Sequence, residues 1–556
     1  MIVRDFISDL LTQALKRAQE LGVLPNSTPI DISLEHPQNT DHGDFATSLP
    51  LKLSRSLKMN PLEIANKLAT FIQPGDVIDK VWVESPGFIN FSFNPRWLAD
   101  CVDQIIEDSE SFGNVHLGNG ESIQIEFVSV NPTGPIHVGH ARGAVLGDAL
   151  ANILSAANYK VTREYYFNDA GNQMEAFYKS LYARYQQLLG RKVEMPQGGY
   201  MGDYMIEVAQ TISNEEGERF LNMPQEQAVR EIGQIGLQKM LQSIQHNLNR
   251  LRIWFDVWFK EHTLYDGGQY ENAIEALRRD NHLTVREGAT WFVSTALGED
   301  KDNVLVRSNG VPTYFATDIA YHYGKFLERG FSKVINIWGA DHQGHIPRMK
   351  AAVRALGIDT DRLTIITHQM IVLKSGSHVL RASKRTGDMI TIEDLIDEVG
   401  PDPCRYFFLA RSPESQMEFD LDLAKKESSE NPVYYIQYAH ARIASILRLA
   451  EENSIDYSDG EVSFLTNPAE LHLIRRMIML PELVESMAIN MEPHHLPHYA
   501  QDLANAFHLF YQQCRVISST TGEEDITRAR LKLVKASAIT LGRCLSLMGM
   551  EAPQTM

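Results

Sequence analysis

The stretch IEFVSVNPTGPIHVGHARGAVLGDALANIL, residues 125–154, decides the fold class of this chain. A β-rich run over 123–130 leads through the turn NPTGP into an apolar-periodic helix. Further strand patterns follow at 165–167 and 334–338, with helical patterns between them. Alternating strand and helix signals of this kind predict a parallel α/β sheet.

Different patterns flank this α/β region and predict two further domains. The N-terminal part is typical of a small α+β unit, with a helix over 2–21, a helix opened by Pro61 and a strand pair over 81–93. Toward the C-terminus the strand signals end and long helical periodicities remain, which predicts an all-helical domain. The predicted boundaries are 1–112 for the α+β unit, 120–430 for the α/β domain with a mostly helical insertion at about 172–260, and 431–556 for the helical domain.

The composition is that of an ordinary globular protein with a marked negative charge. The chain has 556 residues, of which 44% are hydrophobic and 22% charged, and its formal net charge is −19. No stretch approaches the roughly 18 apolar residues that a membrane helix needs. The four cysteines form no CxxC pair, which argues against a zinc ribbon or a disulfide framework. We expect a soluble cytosolic protein, on which a polyanionic partner would need a local basic surface.

The turn between strand and helix carries the strongest local signal for chemistry. His137 and His140 are three residues apart at the helix start, so both imidazoles can face one bound anion, and Gly139 lets a flat base approach the backbone. A helix N-terminus at the carboxyl end of a strand supplies free N–H groups for phosphate. The alternatives are a capped core helix and a zinc pair, although the HxxH spacing differs from the HExxH of zinc proteases.

Two further segments add to this signal in a chain that has neither the P-loop pattern nor GxGxxG. The basic run RASKR at 381–385 could close over a triphosphate and stabilise transition-state charge, with a solvated surface run as the alternative. Gly339, Asp341 and His345 directly follow a strand. Asp341 could accept hydrogen bonds from ribose hydroxyls, while a metal site or a polar loop are the alternatives.

In this order, the three segments resemble the signatures of class I aminoacyl-tRNA synthetases. HVGH at 137–140 is similar to the HIGH element, GADHQGH at 339–345 to the GxDxxxH element, and RASK at 381–384 to the core of KMSKS. Within that class the chain resembles arginyl-tRNA synthetases of the bacterial type over essentially its whole length. The other stretches that carry this resemblance are GDFATSLPLKLSR at 43–55, GDYM at 202–205, FDVWFKE at 255–261, TYFATDIAYH at 313–322, FDLDLAKKESSENPVYYIQYAHAR at 419–442 and LSLMGMEAP at 545–553.

The resemblance implies a role for each candidate residue. It implies catalytic roles for His137, His140, Ser383 and Lys384, ATP contacts for His137, Gly139, His140, Gly339, Asp341, His345 and Lys384, and an arginine pocket of Glu126, Asn131, His140, Tyr314 and Asp318. Two carboxylates suit a planar cation with five donors. Ala382 replaces the Met of the KMSK core, so a side chain that would anchor this loop is missing.

The resemblance also implies the reaction and its partners. Arginine would react with ATP to give arginyl-adenylate and pyrophosphate, and a ribose hydroxyl of the arginine tRNA would then accept the arginine. Mg²⁺ would accompany ATP, and no structural metal, no membrane association and a monomer in the cytoplasm are expected. The competing hypotheses are a class I synthetase for another amino acid, a non-catalytic tRNA-binding paralogue and a small-molecule nucleotidyltransferase; the last would leave the helical domain unexplained.

The helical domain is expected, from the same resemblance, to read the anticodon, and the N-terminal domain to contact the outer corner of the tRNA. Residues 431–556 hold ten Lys and Arg against fourteen Asp and Glu, so base stacking and shape must contribute to reading. Residues at their spacing are more often core residues than stacking platforms; the candidates for stacking are Tyr434, Tyr435, Tyr438, Phe507, Phe510 and Tyr511. The histidines at 494, 495 and 498 lie between prolines and are predicted to be loop residues.

Overall fold

The computed structural model describes residues 3–27, 31–37, 39–376, 378–380 and 390–556. The N-terminal part consists of α1 (Val3–Glu20), β1 (Leu34–Glu35), β2 (Phe45–Thr47), α2 (Leu49–Leu57), α3 (Pro61–Ala69), β3 (Ile78–Glu84), β4 (Phe88–Phe93) and α4 (Pro95–Asp108). The strands form an antiparallel sheet in the order β1-β2-β4-β3. The predicted helices and the β3–β4 pair are confirmed, and Asn60 caps α3 just before Pro61 by accepting the backbone N–H of Leu62 at 2.9 Å.

The central part of the chain contains the α/β sheet and its helices. Its first elements are β5 (Ser122–Glu126), α5 (Val138–Ala156), β6 (Lys160–Phe167), α6 (Asn172–Leu188), α7 (Asp203–Glu216), α8 (Gln225–Arg250) and β7 (Val257–Lys260). There follow α9 (Thr263–Asp266), α10 (Gln269–Arg279), β8 (Leu283–Arg286), β9 (Ala289–Phe292), β10 (Asn303–Val306), α11 (Tyr314–Tyr323), β11 (Lys333–Gly339), α12 (Ile346–Ala355) and β12 (Leu363–His368).

The predicted parallel sheet is confirmed, and its strand order locates a ligand crevice. Five parallel strands lie in the order β12-β11-β5-β6-β7. The chain builds outward from β5 in one direction through β6 and β7, and then in the other through β11 and β12. In a doubly wound sheet, ligands bind at the carboxyl ends of the strands where the order reverses. Here that point lies between β5 and β11, beyond Glu126 and Gly339.

The helical insertion predicted between β6 and the rest of the sheet is shorter than its sequence pattern indicated. Helices α6, α7 and α8 pack around a core of their own that includes Phe177, Tyr185 and Ile232. After Arg250 the chain returns to the main sheet as β7, which pairs with β6. Strand β7 was not predicted, because an edge strand of only four residues is too short to show a clear alternation of apolar and polar residues.

Short elements lead from the sheet into the C-terminal helices. They are β13 (Ile371–Ser375), β14 (His378–Leu380), α13 (Ile392–Val399), α14 (Pro401–Leu409), β15 (Met417–Asp420) and α15 (Leu421–Ala424). The helices that follow are α16 (Pro432–Glu452), α17 (Pro468–Met477), α18 (Leu480–Asn490), α19 (His495–Gln513) and α20 (Glu524–Met548). Residues 431–556, all of which are described, therefore contain helices and no strand, as predicted.

One local prediction in the helical domain is wrong. His495 and His498 lie in the first turn of α19 and His494 immediately precedes it, so these histidines do not form a loop. The first turn tolerates Pro497 because its backbone N–H groups have no partner within the helix. Flanking prolines therefore marked the start of a helix rather than an irregular segment. Among the described residues, no helix combines the length and apolar character that crossing a bilayer requires.

Candidate active site

The loop that joins β5 to α5 is strained and is held from several sides. Val128 and Ser129 directly after β5 have φ values of 67° and 43°, a region that a β-branched residue such as valine rarely adopts. The Ser129 hydroxyl oxygen accepts the backbone N–H of Tyr166 at 3.1 Å. The Tyr204 hydroxyl, from the GDYM stretch, donates to the Thr133 carbonyl at 2.8 Å. Strain fixed by its surroundings in this way is common at functional sites.

The two histidines stand at the N-terminus of α5, as the sequence predicted. His137 is the N-cap, and its Nδ1 accepts the backbone N–H of Gly139 at 3.1 Å, so its other ring nitrogen carries the proton. The centroids of the His137 and His140 rings are 3.7 Å apart. Burial, followed by the neighbouring His137 and His368, lowers the pKa of His140 to about 3, so His140 is neutral at pH 7. Its buried Nδ1 has no hydrogen-bond partner within the part of the chain that is described.

One face of α5 carries the glycines Gly139, Gly143 and Gly147. At Gly143 and Gly147 this face packs against side chains at the ends of the sheet strands and does not face a ligand. A Cβ on Gly147 would lie 2.3 Å from the Phe127 ring, and a Cβ on Gly143 would lie 2.7 Å from His368 Nε2. Arg142, directly before Gly143, is buried without a carboxylate partner among the described residues and donates to the carbonyls of Ser412 at 2.7 Å and Ser415 at 2.8 Å. The helix that begins at His137 is thus attached to the turn that precedes β15.

The chain on either side of the basic run is attached close to this helix. Leu380, the last described residue before the run, ends β14, which pairs with β13. On the far side, the Ile390 carbonyl accepts the backbone N–H of Val138 at 3.1 Å, and Thr391 forms a bridge with His137. Ser383 and Lys384 lie outside the described residues, six or seven positions from this attachment.

A pair of carboxylates lies at the carboxyl end of β5 and on α11. Glu126 ends β5 with 8% of its surface exposed, and Asp318 is half-buried one helical turn after Tyr314, which is 61% exposed. Burial first, and then the negative charge of Glu126, raise the pKa of Asp318 to about 7, while Arg348 and Lys325 oppose this shift. The structure thus brings together the two acids that the sequence predicted, with Tyr314 and Asp318 on one helix.

Asn131 lies beside the same crevice. Its side-chain amide donates to Gln173 Oε1 at 2.6 Å, at the N-terminus of α6, and its carbonyl oxygen accepts the backbone N–H of Asn168 at 3.4 Å. These contacts fix which way the amide of Asn131 faces. Its oxygen points toward the end of β6.

The polar segment after β11 forms a 3₁₀ turn, Ala340–His345, at the other side of the crevice. A Cβ on Gly339 would lie 2.5 Å from Asp341 Oδ1, so this position admits only glycine while Asp341 keeps its place. The Asp341 side chain is 79% exposed. His345 Nδ1 accepts from the Arg348 guanidinium at 2.5 Å, and burial together with Arg348 lowers the pKa of His345. Among the described residues, no group of three or more His, Cys, Asp or Glu side chains is placed to hold a metal ion.

Sequence reasoning missed the cations and tyrosines beneath the carboxylate pair. Lys325 is completely buried and donates to Glu126 Oε2 at 2.6 Å. Arg329 pairs with Glu164, and the Tyr166 hydroxyl donates to Glu261 Oε2 at 2.6 Å. The two cations lie in the stretch AYHYGKFLERGF. Their spacing of four residues is that of charged residues on an ordinary solvated helix, so it gave no sign that Lys325 is buried.

Comparison with known proteins decides the family. Three family models match consecutive parts of the chain: the arginyl tRNA synthetase N-terminal domain over residues 5–93, the class I tRNA synthetase (R) catalytic domain over 101–404, and the DALR anticodon binding domain over 436–556. The arginine–tRNA ligase of Dehalococcoides mccartyi is 55% identical over 556 residues, covering 100% of this chain and 99% of the relative. The chain belongs to the arginyl-tRNA synthetase family.

Other relatives agree with this assignment at lower similarity. The arginine–tRNA ligase of Carboxydothermus hydrogenoformans is 46% identical over 554 residues, which are 99% of each chain. The solved structure of Thermus thermophilus arginyl-tRNA synthetase matches this chain with a TM-score of 0.76 at 21% identity, over 100% of both chains. That of Plasmodium falciparum matches with a TM-score of 0.78 at 17% identity, over 100% of this chain and 99% of the other. The last two matches bear on the fold alone.

Within the DALR region of this arginyl-tRNA synthetase family member, a group of aromatic side chains surrounds one arginine. The Arg442 guanidinium lies 4.7 Å from the ring centroid of Tyr438 and 4.8 Å from that of Tyr511. Tyr434 stacks on Tyr438 with ring centroids 6.0 Å apart and an angle of 9°. The Tyr438 and Tyr511 rings and Arg442 border a cavity of about 370 Å³ that Met556 also lines. Of the phenylalanines considered for stacking, Phe507 and Phe510 are core residues instead.

Proposed function

We propose that this chain attaches L-arginine to its tRNA, with the carboxylate pair Glu126 and Asp318 as the pocket for the arginine side chain. The class of enzyme is arginine–tRNA ligase, in which a class I catalytic domain uses ATP. The observation that supports the pocket is that Glu126 ends β5 at the sheet's switch point and acts electrostatically on Asp318 of α11. An acidic pair of which Glu126 is buried and Asp318 half-buried would select a guanidinium over the side chain of a neutral amino acid.

The positions of three further side chains support roles that we propose for them in the pocket. Tyr314, exposed at the start of α11, is proposed to contact the guanidinium beside Asp318. Asn131 is proposed to bind the α-amino group through its carbonyl oxygen, which already accepts from Asn168 and has a second lone pair. His140 is proposed to lie beside the α-carboxylate or the α-phosphate. As a neutral imidazole it would act as a hydrogen-bonding partner rather than as a charge.

The adenylate step needs no protein nucleophile. An oxygen of the arginine carboxylate attacks the α-phosphorus of ATP, a new P–O bond forms, and the bond to the departing pyrophosphate breaks. We propose that His137, Gly139 and His140 hold the phosphates at the helix N-terminus and that Gly339, Asp341 and His345 hold the adenosine. Ser383 and Lys384 are proposed to stabilise the charge that builds on the phosphate oxygens. Mg²⁺ is proposed to enter with ATP, bound mainly by phosphate oxygens.

In the second step a terminal ribose hydroxyl of the tRNA attacks the arginyl carbonyl and AMP leaves. We propose that the DALR region reads unpaired anticodon bases, with Tyr438, Arg442 and Tyr511 as a surface on which a base stacks. The N-terminal domain is proposed to contact the outer corner of the tRNA. A monomer in the cytoplasm, without membrane association, is part of the same proposal.

Charging of purified tRNA tests this proposal. Labelled arginine should become acid-precipitable on arginine tRNA in an ATP-dependent reaction, and the Glu126→Gln variant should need far more arginine for half-maximal rate. The conservative change keeps the side-chain volume, so an intact melting transition separates a pocket effect from loss of fold. Charging with normal arginine dependence in Glu126→Gln would contradict the pocket assignment.

A further inference from the structure

Lys325 is a fully buried amine directly beneath the proposed arginine pocket. It lies in a π-helical turn, Gly324–Glu328, that continues α11, and such wide turns are frequent at functional sites. Its Nζ donates to Glu126 Oε2 at 2.6 Å and to Asn336 Oδ1 at 3.0 Å, and it lies 4.0 Å from the centroid of the Tyr321 ring. A buried ammonium with this set of partners is held in one place.

The register of the sheet explains why a cation is needed there. Glu126 on β5 is the register partner of Glu164 on β6 and of Asn336 on β11, so three polar side chains stand side by side. Two carboxylates on neighbouring strands repel each other. Lys325 and Arg329, four residues apart, each take one of them, since Arg329 donates to Glu164 Oε1 at 2.9 Å.

A directed chain of hydrogen bonds extends from Lys325 to the second acid of the pocket. Because the Lys325 ammonium can only donate, it faces the carbonyl oxygen of the Asn336 amide, and the Asn336 nitrogen therefore donates to His322 Nε2 at 2.8 Å. His322 must then carry its proton on Nδ1, which donates to the Asp318 carbonyl at 2.7 Å. Burial lowers the pKa of His322 to about 3, in agreement with a neutral ring.

We propose that Lys325 is a positioning residue for the arginine pocket: it binds Oε2 of Glu126 and, through Asn336 and His322, fixes Glu126 relative to the backbone of Asp318. The inference rests on the proposed function of those two acids. Since Lys325 occupies Oε2 of Glu126, the substrate guanidinium is offered Oε1 together with the carboxylate of Asp318. With one carboxylate charge offset by Lys325, the pair Glu126 and Asp318 keeps the charge that one further cation can neutralise.

The charges around Lys325 give this role a measurable consequence. The titratable groups that face it are Glu126 on β5, Glu164 on β6, Asp318, Tyr321 and His322 on α11, and Arg329 after α11. Because Arg329 is engaged by Glu164, removal of Lys325 leaves Glu126 and Asp318 facing each other, with Arg348 opposing their repulsion and Glu261 adding to it. Without Lys325 these two carboxylates retain a shared proton up to a higher pH than in the wild type, and arginine must displace that proton in order to bind.

The test is the pH dependence of the arginine KM in Lys325→Met, measured by tRNA charging between pH 6 and 9. The expected result is an acid limb moved by about one pH unit or more to higher pH, so that the KM rises on the order of tenfold at pH 7 and recovers toward pH 9. The ATP KM should stay within about twofold, because Lys325 contacts neither phosphate nor base in this proposal. Lys333→Met, a half-buried lysine at the other end of β11, is the matched control with an unchanged profile.

An arginine KM that is unchanged, or raised by the same factor at every pH, would overturn the positioning role. If Lys325→Met shows no cooperative melting transition, the isosteric Asn336→Asp carries the test, because a second anion on Lys325 must displace the acid limb in the same direction. A different result would reject the proposed pocket itself, namely a normal arginine KM in both Glu126→Gln and Asp318→Asn. Normal pocket variants therefore reject the proposed function, whereas an unmoved Lys325→Met profile beside impaired pocket variants rejects this inference alone.

Discussion

Arg405 of α14 and Asp148 of α5 form a buried ion pair, with 0% and 4% of their side chains exposed. The same guanidinium donates to the carbonyls of Leu251 at 2.6 Å and of Met548 at the end of α20. One arginine therefore connects the helix that begins at His137 to the last helix of the DALR region. Because both side chains are desolvated, loss of Asp148 would leave the Arg405 guanidinium as an uncompensated buried charge, whereas Asp148 also lies 3.6 Å from Arg163. The connection gives the helical domain a direct physical link to the catalytic helix.

Gly549→Ala tests that link. Gly549 has φ +68°, and a Cβ there would lie 2.1 Å from Arg405 Nη2, so alanine must displace the guanidinium. Gly522→Ala is the matched control, because Gly522 has φ +91° but no atom within 4 Å of its Cβ. The control should cost about 1–2 kcal/mol from backbone strain alone, and Gly549→Ala clearly more, as a lower denaturation midpoint. Equal losses in the two variants would show that Arg405 accommodates the methyl group.

Asp318→Asn should raise the arginine KM by about 10–100-fold, the loss of one charged hydrogen-bond pair. Because the pKa of Asp318 is about 7 in the free protein, arginine affinity should rise with pH through 7 and level off above it. The variant should lose that dependence. The same raised pKa means that the folded state binds this proton more tightly than the unfolded state does. The free protein should therefore lose stability between pH 4 and 7 as pH rises. A wild-type arginine KM that is flat across pH 6–8 would count against the assigned pKa.

Lys384→Ala should lower kcat of the adenylate step with little change in the arginine KM. The loss of one contact to transition-state charge costs about 3–4 kcal/mol, which corresponds to roughly a hundred- to thousandfold in rate. The control is Lys374→Ala, since Lys374 on β13 pairs with Glu418 and lies outside the basic run. Single-turnover adenylate formation measures the step. A variant with normal rate and impaired arginine binding would contradict the role of Lys384.

Arg442→Ala should weaken tRNA binding on the order of tenfold, because base stacking on an aromatic or cationic platform contributes about 1–3 kcal/mol per base. The KM for arginine tRNA measures this effect. Arg528→Ala is the control, since Arg528 pairs with Asp459 on the surface. If both variants bind tRNA equally well, the cavity beside Tyr438 and Tyr511 is not the site of a base.

The sequence predicted those parts of the fold and site whose determinants are local. The β-rich run before NPTGP and the helical periodicity after it predicted β5, α5 and the position of His137 at the helix start, because strand and helix periods differ within one short stretch. The role of Lys325 could not be predicted from the sequence, because its partner Glu126 is 199 positions away. The contact between Lys325 and Glu126 depends on the pairing of β11 with β5 and on a π-helical turn, for which hydrophobic periodicity gives no signal. The division of Phe507 from Tyr511 into core and surface likewise needed the packing of α16 against α19.

Pyrophosphate exchange across the twenty amino acids, with arginine tRNA present, is the most direct test of whether the acidic pair selects arginine. The account predicts ATP–pyrophosphate exchange with arginine and none above background with the other nineteen, because only arginine brings a guanidinium to the acidic pair Glu126 and Asp318. Exchange supported by another amino acid at a comparable kcat/KM, or an absence of exchange with arginine in folded protein, would contradict it.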